Sequence, residues 1–244
     1  MIHTTKALLH EGLFYVIIEK TDFERMISMK EATFTLYDRN TWPRSSHFDY
    51  YTKGFVKSVN SMTVRLDVTH FLAETKAKGM KFFPAFAALT GQLIASMPEA
   101  CTTVNQNGEP GYYSHLNPNF TIFHDDDKTF SDVWSEYDDD FDTFYQNLMQ
   151  DAETYKDKKG IKVKDGQPMN FFCISCVPWL NYEAYCPVNY GGSPNLFPII
   201  TFGKYTEENG KYTLPFTITI SHACMDGYHL SKFFNDLQEK LDQF

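Results

Sequence analysis

The stretch Phe216-Thr217-Ile218-Thr219-Ile220-Ser221-His222-Ala223-Cys224-Met225-Asp226-Gly227 contains the change of period that decides the fold. In its first half Phe216, Ile218, Ile220 and His222 share one face by alternation, and Thr217, Thr219 and Ser221 share the other. This predicts a strand with one apolar face, and it places His222 at the end of that row, largely buried. Beyond Gly227 the period changes. Leu230, Phe233, Phe234, Leu237 and Leu241 recur at helical spacing, which predicts an amphipathic helix closing the chain. Asp226 stands directly before that helix, where a carboxylate caps free backbone N–H groups.

On the N-terminal side of this junction, Ile199–Tyr205 and Tyr212–His222 read as two strands joined across Glu207-Glu208-Asn209-Gly210. Residues 171–176 are a short apolar run suited to a buried strand, and 157–168 a charged, Gly-containing loop. Residues 138–156 are expected to be helical and 119–123 to form a strand. Asn107-Gly108 predicts a hairpin between 102–106 and 111–114. Pro84 opens a helix whose core face is Phe86, Leu89, Leu93, Ile94 and Met97. A helix over 69–78 precedes it, and before that Met62, Val64, Leu66 and Val68 alternate as a half-buried strand. There is no internal repeat and no Pro-, Gly- or Ser-rich linker. Residues 1–28 join poorly to the rest of the chain and read as an N-terminal extension of open role; 29–244 read as one domain. Strands and helices without a strict βαβ rhythm predict an α/β two-layer sandwich, a mixed sheet packed by helices.

Composition narrows the function classes. The 244 residues carry a net charge of −9 and no dense Lys/Arg cluster, which argues against nucleic acid as a partner. The acidic runs at 125–127 and 138–140 read as solvated surface. Leu13–Ile18 is too short for a membrane span and lacks a small-residue cleavage site, so neither a membrane nor a secretion signal is expected. Five cysteines at irregular spacing fit a reducing, cytoplasmic setting. In Cys173-Ile174-Ser175-Cys176 the two sulfurs point to opposite faces of a strand, so no metal is expected there. His124 and His229 read as surface or packing residues.

Two readings fit His222: a core histidine satisfied by a backbone group, or an imidazole kept neutral by apolar surroundings and able to take a proton near pH 7. Spacing alone does not separate them. The pattern His222-x-x-x-Asp226-Gly227 before an amphipathic helix resembles the chloramphenicol acetyltransferases and the related dihydrolipoamide acyltransferase domains. Further segments are similar in order to the chloramphenicol enzymes: Trp42-Pro43-Arg44-Ser45-Ser46-His47-Phe48, Lys81-Phe82-Phe83-Pro84, Phe120-Thr121-Ile122-Phe123-His124, Ile174-Ser175-Cys176-Val177-Pro178-Trp179 and Pro198-Ile199-Ile200-Thr201. The resemblance runs from about residue 31 to the C-terminus.

It implies the CoA-dependent acyltransferase fold and a homotrimer with active sites at subunit interfaces. It also implies transfer of an acetyl group from acetyl-CoA to a small-molecule hydroxyl. By the resemblance, His222 is the general base and Ser175 donates to the tetrahedral oxyanion. Arg44 and Asp226 are the buried ion pair holding the histidine loop, and Thr201 binds an active-site water. Tyr51 and Tyr185 belong to the acceptor pocket; Tyr205, Lys81 and Lys204 lie toward the CoA nucleotide. No metal is implied.

The match departs in places. Ser221 replaces the first of two adjacent histidines. Cys186-Pro187-Val188-Asn189 replaces an Asn-Leu-Asn-Val run, and residues 52–61 carry Lys57, Ser58 and Asn60 in place of a Pro-Cys pattern. A more polar acceptor pocket is expected. Chloramphenicol is the leading acceptor, another small hydroxyl compound or thiol the alternative, and a noncatalytic small-molecule-binding trimer the reading from a different class.

Overall fold

The computed structural model describes residues 30–54, 56–187 and 196–244; the expected extension over 1–28 lies outside them. Its strands are β1 (Phe34–Leu36), β2 (Val59–Asp67), β3 (Thr102–Val104), β4 (Pro110–Tyr113), β5 (Asn117–His124), β6 (Thr129–Trp134), β7 (Phe171–Val177), β8 (Ile199–Gly203), β9 (Thr206–Glu208) and β10 (Lys211–Ser221). Its helices are α1 (Ser45–Lys53), α2 (Thr69–Ala77), α3 (Phe82–Ala95), α4 (Phe141–Tyr155) and α5 (Gly227–Asp242).

The main sheet runs in the order β2-β10-β8-β7-β5-β6, with β9 as a short hairpin partner of β10, and a small sheet has the order β1-β4-β3. Strands β2, β10 and β8 pair antiparallel, β8, β7 and β5 parallel, and β5 with β6 antiparallel, so the sheet is mixed as expected. Asn209 and Gly210 both have positive φ, the backbone that a two-residue β9–β10 turn requires.

The apolar row of β10 is the centre of the core. Phe216, Ile218 and Ile220 are fully buried beside Ile174, Ile200 and Phe202 from neighbouring strands. Helices cover this face: Phe233 and Phe234 of α5 pack on Phe216, and Phe86 of α3 meets Phe202 edge-on at 5.0 Å. Each such side chain contributes roughly 1.5–3 kcal/mol by leaving water. Helix α3 is buried on nearly every side, so its Ala and Gly positions let neighbouring elements approach closely.

The second face of the sheet is polar yet equally buried. Thr217, Thr219 and Ser221 alternate with the apolar row of β10 and are at most 2% exposed. Their hydroxyls are matched across strands: Thr63 to Thr217 and Ser61 to Thr219, both at 2.7 Å. Residues 178–187 lie across this face as a strap. Leu180 O accepts from Lys204 N, Tyr182 OH donates to Thr201 O at 2.6 Å, and Ser61 Oγ donates to Tyr185 O. Gly203 makes room for it, since a Cβ there would meet Leu180 O at 2.6 Å.

Some boundaries differ from expectation for identifiable reasons. The helix expected from 138 begins at Phe141, because Asp140 caps it by accepting from Thr143 N, and Asp138 accepts from Asp140 N. That acidic run is partly a helix cap. The other run is tied down by lysines: Lys159 Nζ bridges Asp126 and Asp127. His124 is buried and bonded to Ser131 at 2.8 Å. Among the described residues no helix is long and apolar enough to cross a membrane.

Candidate active site

Strand β10 ends at Ser221, and the chain turns before α5, which lifts His222 out of the apolar row. The residue is half-buried rather than largely buried, with its N–H still bonded to Ser58 O on the β2 side. Tyr51, from the last turn of α1, stacks on the His222 ring with centroids 4.1 Å apart and planes 11° from parallel. Among the described residues Nδ1 is buried and has no hydrogen-bond partner, which leaves Nε2 as the nitrogen able to meet an acceptor.

The loop that carries His222 is clamped from several directions. Arg44, at the N-terminus of α1, reaches Asp226 Oδ2 with Nη1 at 2.5 Å and His222 O with Nη2 at 2.9 Å. Its Nη2 also approaches Ala223 O at 3.4 Å. Asn60 Nδ2 donates to Met225 O at 3.0 Å from the β2 side. Asp226 caps α5, accepting from Tyr228 N and His229 N, and its Oδ1 lies 2.7 Å from His229 Nδ1. Partial burial pushes the Asp226 pKa up, but hydrogen bonds from His229 and Arg44 outweigh it and hold the carboxyl well below the usual carboxylate range. Four expected site residues, Arg44, Tyr51, His222 and Asp226, are thus one cluster.

Ser175 and Thr201 form a second cluster. They are register partners on β7 and β8, with hydroxyls 3.3 Å apart, and the same cross-sheet row continues through Thr217 to Thr63. Tyr182 OH accepts from Thr217 Oγ1 at 3.1 Å while donating to Thr201 O, and so fixes the middle of the row. Tyr185 is exposed on the strap, 5.9 Å from Tyr182 ring to ring.

Of the three residues expected toward the CoA nucleotide, Lys81 and Tyr205 lie at the start of α3. Lys81 is its N-cap residue, and the Tyr205 ring lies 6.2 Å from Phe82. Lys204 is exposed beside Tyr205, with its backbone held by the strap. Among the described residues no group of three or more His, Cys, Asp or Glu is arranged to hold a metal ion.

One chain does not bring Ser175 to His222. Ser175 stands level with Thr217, five residues down β10 from His222 and two strands away. At strand spacings that is a separation of about 20 Å.

Three residues read otherwise in the sequence, Ser58 and Asn60 as part of a polar acceptor pocket and His229 as surface or packing, instead bond to the His222 loop and its Asp226 cap. His229 has a usable signal. Asp226-x-x-His229 has the spacing of a capping box, in which the side chain at the third helical position reaches back to the cap.

Residues 32–238 match the sequence model of the family described as chloramphenicol acetyltransferase. A chloramphenicol acetyltransferase of Clostridium perfringens is 37% identical over 206 residues, covering 84% of this chain and 94% of that protein. A solved chloramphenicol acetyltransferase structure superposes with a TM-score of 0.73 at 23% identity, covering 86% of this chain and all of that one. A dihydrolipoamide acetyltransferase of Azotobacter vinelandii shares the fold with a TM-score of 0.61 at 16% identity, covering 92% of this chain and 96% of that one.

Proposed function

Because this chain belongs to the chloramphenicol acetyltransferase family, and so to the acyltransferases, we propose that it moves the acetyl group of acetyl-CoA onto a hydroxyl of a small acceptor, chloramphenicol first among them, with His222 as general base. The observation that carries this reading is the seating of His222. Its ring is stacked against Tyr51 and its loop is pinned by Arg44, while Nε2 is left to act.

In this reading Nε2 of His222 takes the proton of the acceptor hydroxyl as the oxygen attacks the thioester carbon. Ser175 Oγ donates to the oxyanion that forms, and Thr201 holds the water beside it. His222, now protonated, returns the proton to the departing CoA thiolate. Tyr51 and Tyr185 border the acceptor, and Tyr205, Lys81 and Lys204 face the nucleotide end of acetyl-CoA. The chain works in the cytoplasm, where its five free thiols stay reduced.

The roughly 20 Å between Ser175 and His222 within a chain favours a homotrimer in which each site pairs His222 of one subunit with Ser175 of the next. The exposed aromatic patch of Phe123 and Trp179, in edge contact at 4.8 Å, suits burial in such an interface.

The test is CoA-thiol release with acetyl-CoA and chloramphenicol. His222→Ala is expected to lose about 10²–10⁴-fold in kcat, and Ser175→Ala about 10²–10³-fold. Denatured His222→Ala and Ser175→Ala chains, refolded together, are then expected to regain roughly a quarter of wild-type activity, since every mixed trimer holds one intact site of three. Turnover by His222→Ala at the wild-type rate sinks the assignment of the base. Absence of any regain sinks the shared site. Turnover of other alcohols but not of chloramphenicol moves the acceptor, and stoichiometric binding without turnover replaces the enzyme with a binding protein.

A further inference from the structure

The clamp on the His222 loop has a member that neither the ion pair nor the reaction as proposed requires. Asp226 uses its two oxygens differently. Oδ2 is held by Arg44 Nη1, while Oδ1 accepts two helix N–H groups, Tyr228 N at 3.0 Å and His229 N at 3.4 Å, and also lies 2.7 Å from His229 Nδ1. An ionised carboxylate only accepts, so a contact of 2.7 Å requires the proton on His229 Nδ1. The hydrogen-bond network therefore fixes the tautomer. It also settles a competition: Asp226 N lies 3.5 Å from the same Nδ1, and a protonated Nδ1 does not accept from it. The ring serves the carboxylate in preference to the backbone cap.

We propose that His229 is a positioning residue for the reaction, its Nδ1–H locking the Asp226 carboxylate so that Arg44 holds the carbonyl of His222 in place. The inference rests on the reading of His222 as the base. The links are consecutive: His229 Nδ1 to Asp226 Oδ1, Asp226 Oδ2 to Arg44 Nη1, Arg44 Nη2 to His222 O. The terminal torsion of an aspartate is broad. Helix N–H groups at 3.0 and 3.4 Å restrain Oδ1 weakly beside the 2.7 Å contact, and without the imidazole the carboxylate can rotate and let Arg44 drift. His229 also lines an open cleft of about 310 Å³ with Glu99, Tyr228 and Lys232, so it is not simply filling core.

His229→Ala, His229→Asn and His229→Gln separate this role from helix capping. An asparagine amide N–H falls near the place of Nδ1, whereas a glutamine amide falls near that of Nε2, out of line with Asp226. The alanine and glutamine variants are expected to lose about 10- to 100-fold in kcat, the scale of a small misplacement of a reacting group. KM for both substrates should stay within twofold, and His229→Asn should recover most of the loss. In an Asp226→Asn background, which keeps a good helix cap, adding His229→Ala should change kcat less than twofold, because the group it acts through is already gone.

Wild-type kcat in His229→Ala or His229→Gln, alongside an inactive His222→Ala, overturns this inference alone. So does full additivity with Asp226→Asn. An active His222→Ala removes the base itself and the inference with it.

Discussion

Replacing Arg44 by alanine tests the clamp most directly. The Arg44 side chain is only 11% exposed and gives up three bonds: to Asp226, to His222 O and to Ala223 O. Removing one partner of a fully buried pair costs about 3–5 kcal/mol. Two features lower that here. The Asp226 side chain is 33% exposed, so water replaces part of the lost interaction, and Oδ1 keeps its bonds to His229 and the helix N-terminus. About 2–3 kcal/mol remains, which for a domain of this size lowers Tm by roughly 4–12 °C. The measurement is calorimetry at fixed protein concentration, since assembly into the proposed trimer would make Tm concentration-dependent. Thiol-release assays run in parallel should give a kcat lower by about 10²-fold, because the loop loses its hold on the His222 carbonyl. Arg44→Lys keeps the charge but loses the fork that reaches two acceptors at once. It should recover part of the Tm and little of the kcat. If Arg44→Ala melts within a degree of wild type and turns over within twofold, the clamp contributes neither stability nor geometry and the reasoning fails.

Gly91→Ala in α3 would gain about 1 kcal/mol of helix propensity, but the new Cβ would sit 2.8 Å from Phe144 Cε1, and Phe144 is fully buried. Overpacking of this kind costs about 1–3 kcal/mol, so urea unfolding should show net destabilisation; a stabilised variant would mean that Phe144 is free to move. Burial pushes the thiols of Cys101, Cys173, Cys176 and Cys224 up to about 12, so at pH 8 an aromatic disulfide reagent should find them unreactive until denaturant is added. Fast release from a Cys186→Ser variant would contradict this. Asp226 is more acidic folded than its unfolded reference of about 3.9, so its contribution to stability is complete above pH 4 and is lost as the pH falls through the folded value. Urea midpoints taken from pH 6 down to pH 2.5 should fall less steeply for Asp226→Asn than for wild type, and parallel curves would show that the carboxylate is not linked to folding.

Strand β10 and helix α5 are legible in the sequence because each keeps a clean period: Phe216, Ile218 and Ile220 at two residues, and Leu230, Phe233, Leu237 and Leu241 at helical spacing, all of them buried. Helix α1 is not legible, because it buries only Phe48 and is otherwise a polar stretch held in place by its neighbours. Strand β6 hides for a similar reason, its Thr-Phe-Ser-Asp-Val-Trp order giving no clear alternation until it pairs with β5. At the site, local spacing reaches as far as the strand-to-helix junction. Arg44 and Asp226 are 182 residues apart, and no periodicity joins them; the family resemblance supplies that pair. The half-burial of His222 is invisible to alternation, which describes a strand, and the strand stops one residue short of it.

The polar face of the sheet explains how a stable core can surround the free donor that the proposed reaction asks of Ser175. An unpartnered buried hydroxyl costs about 1–3 kcal/mol, so a row of threonines on a covered face is tolerable only if each is bonded. Thr63, Thr217 and Tyr182 satisfy one another, and Tyr182 also pins Thr201 O. The Thr201 hydroxyl has Ser175 as its partner, and their 3.3 Å contact is long for a pair of hydroxyls. A long contact is a weak one, so the single Ser175 O–H can turn to another oxygen. A fully apolar face would fix the sheet equally well but would offer no such donor. A row with shorter contacts up to Ser175 would have spent it.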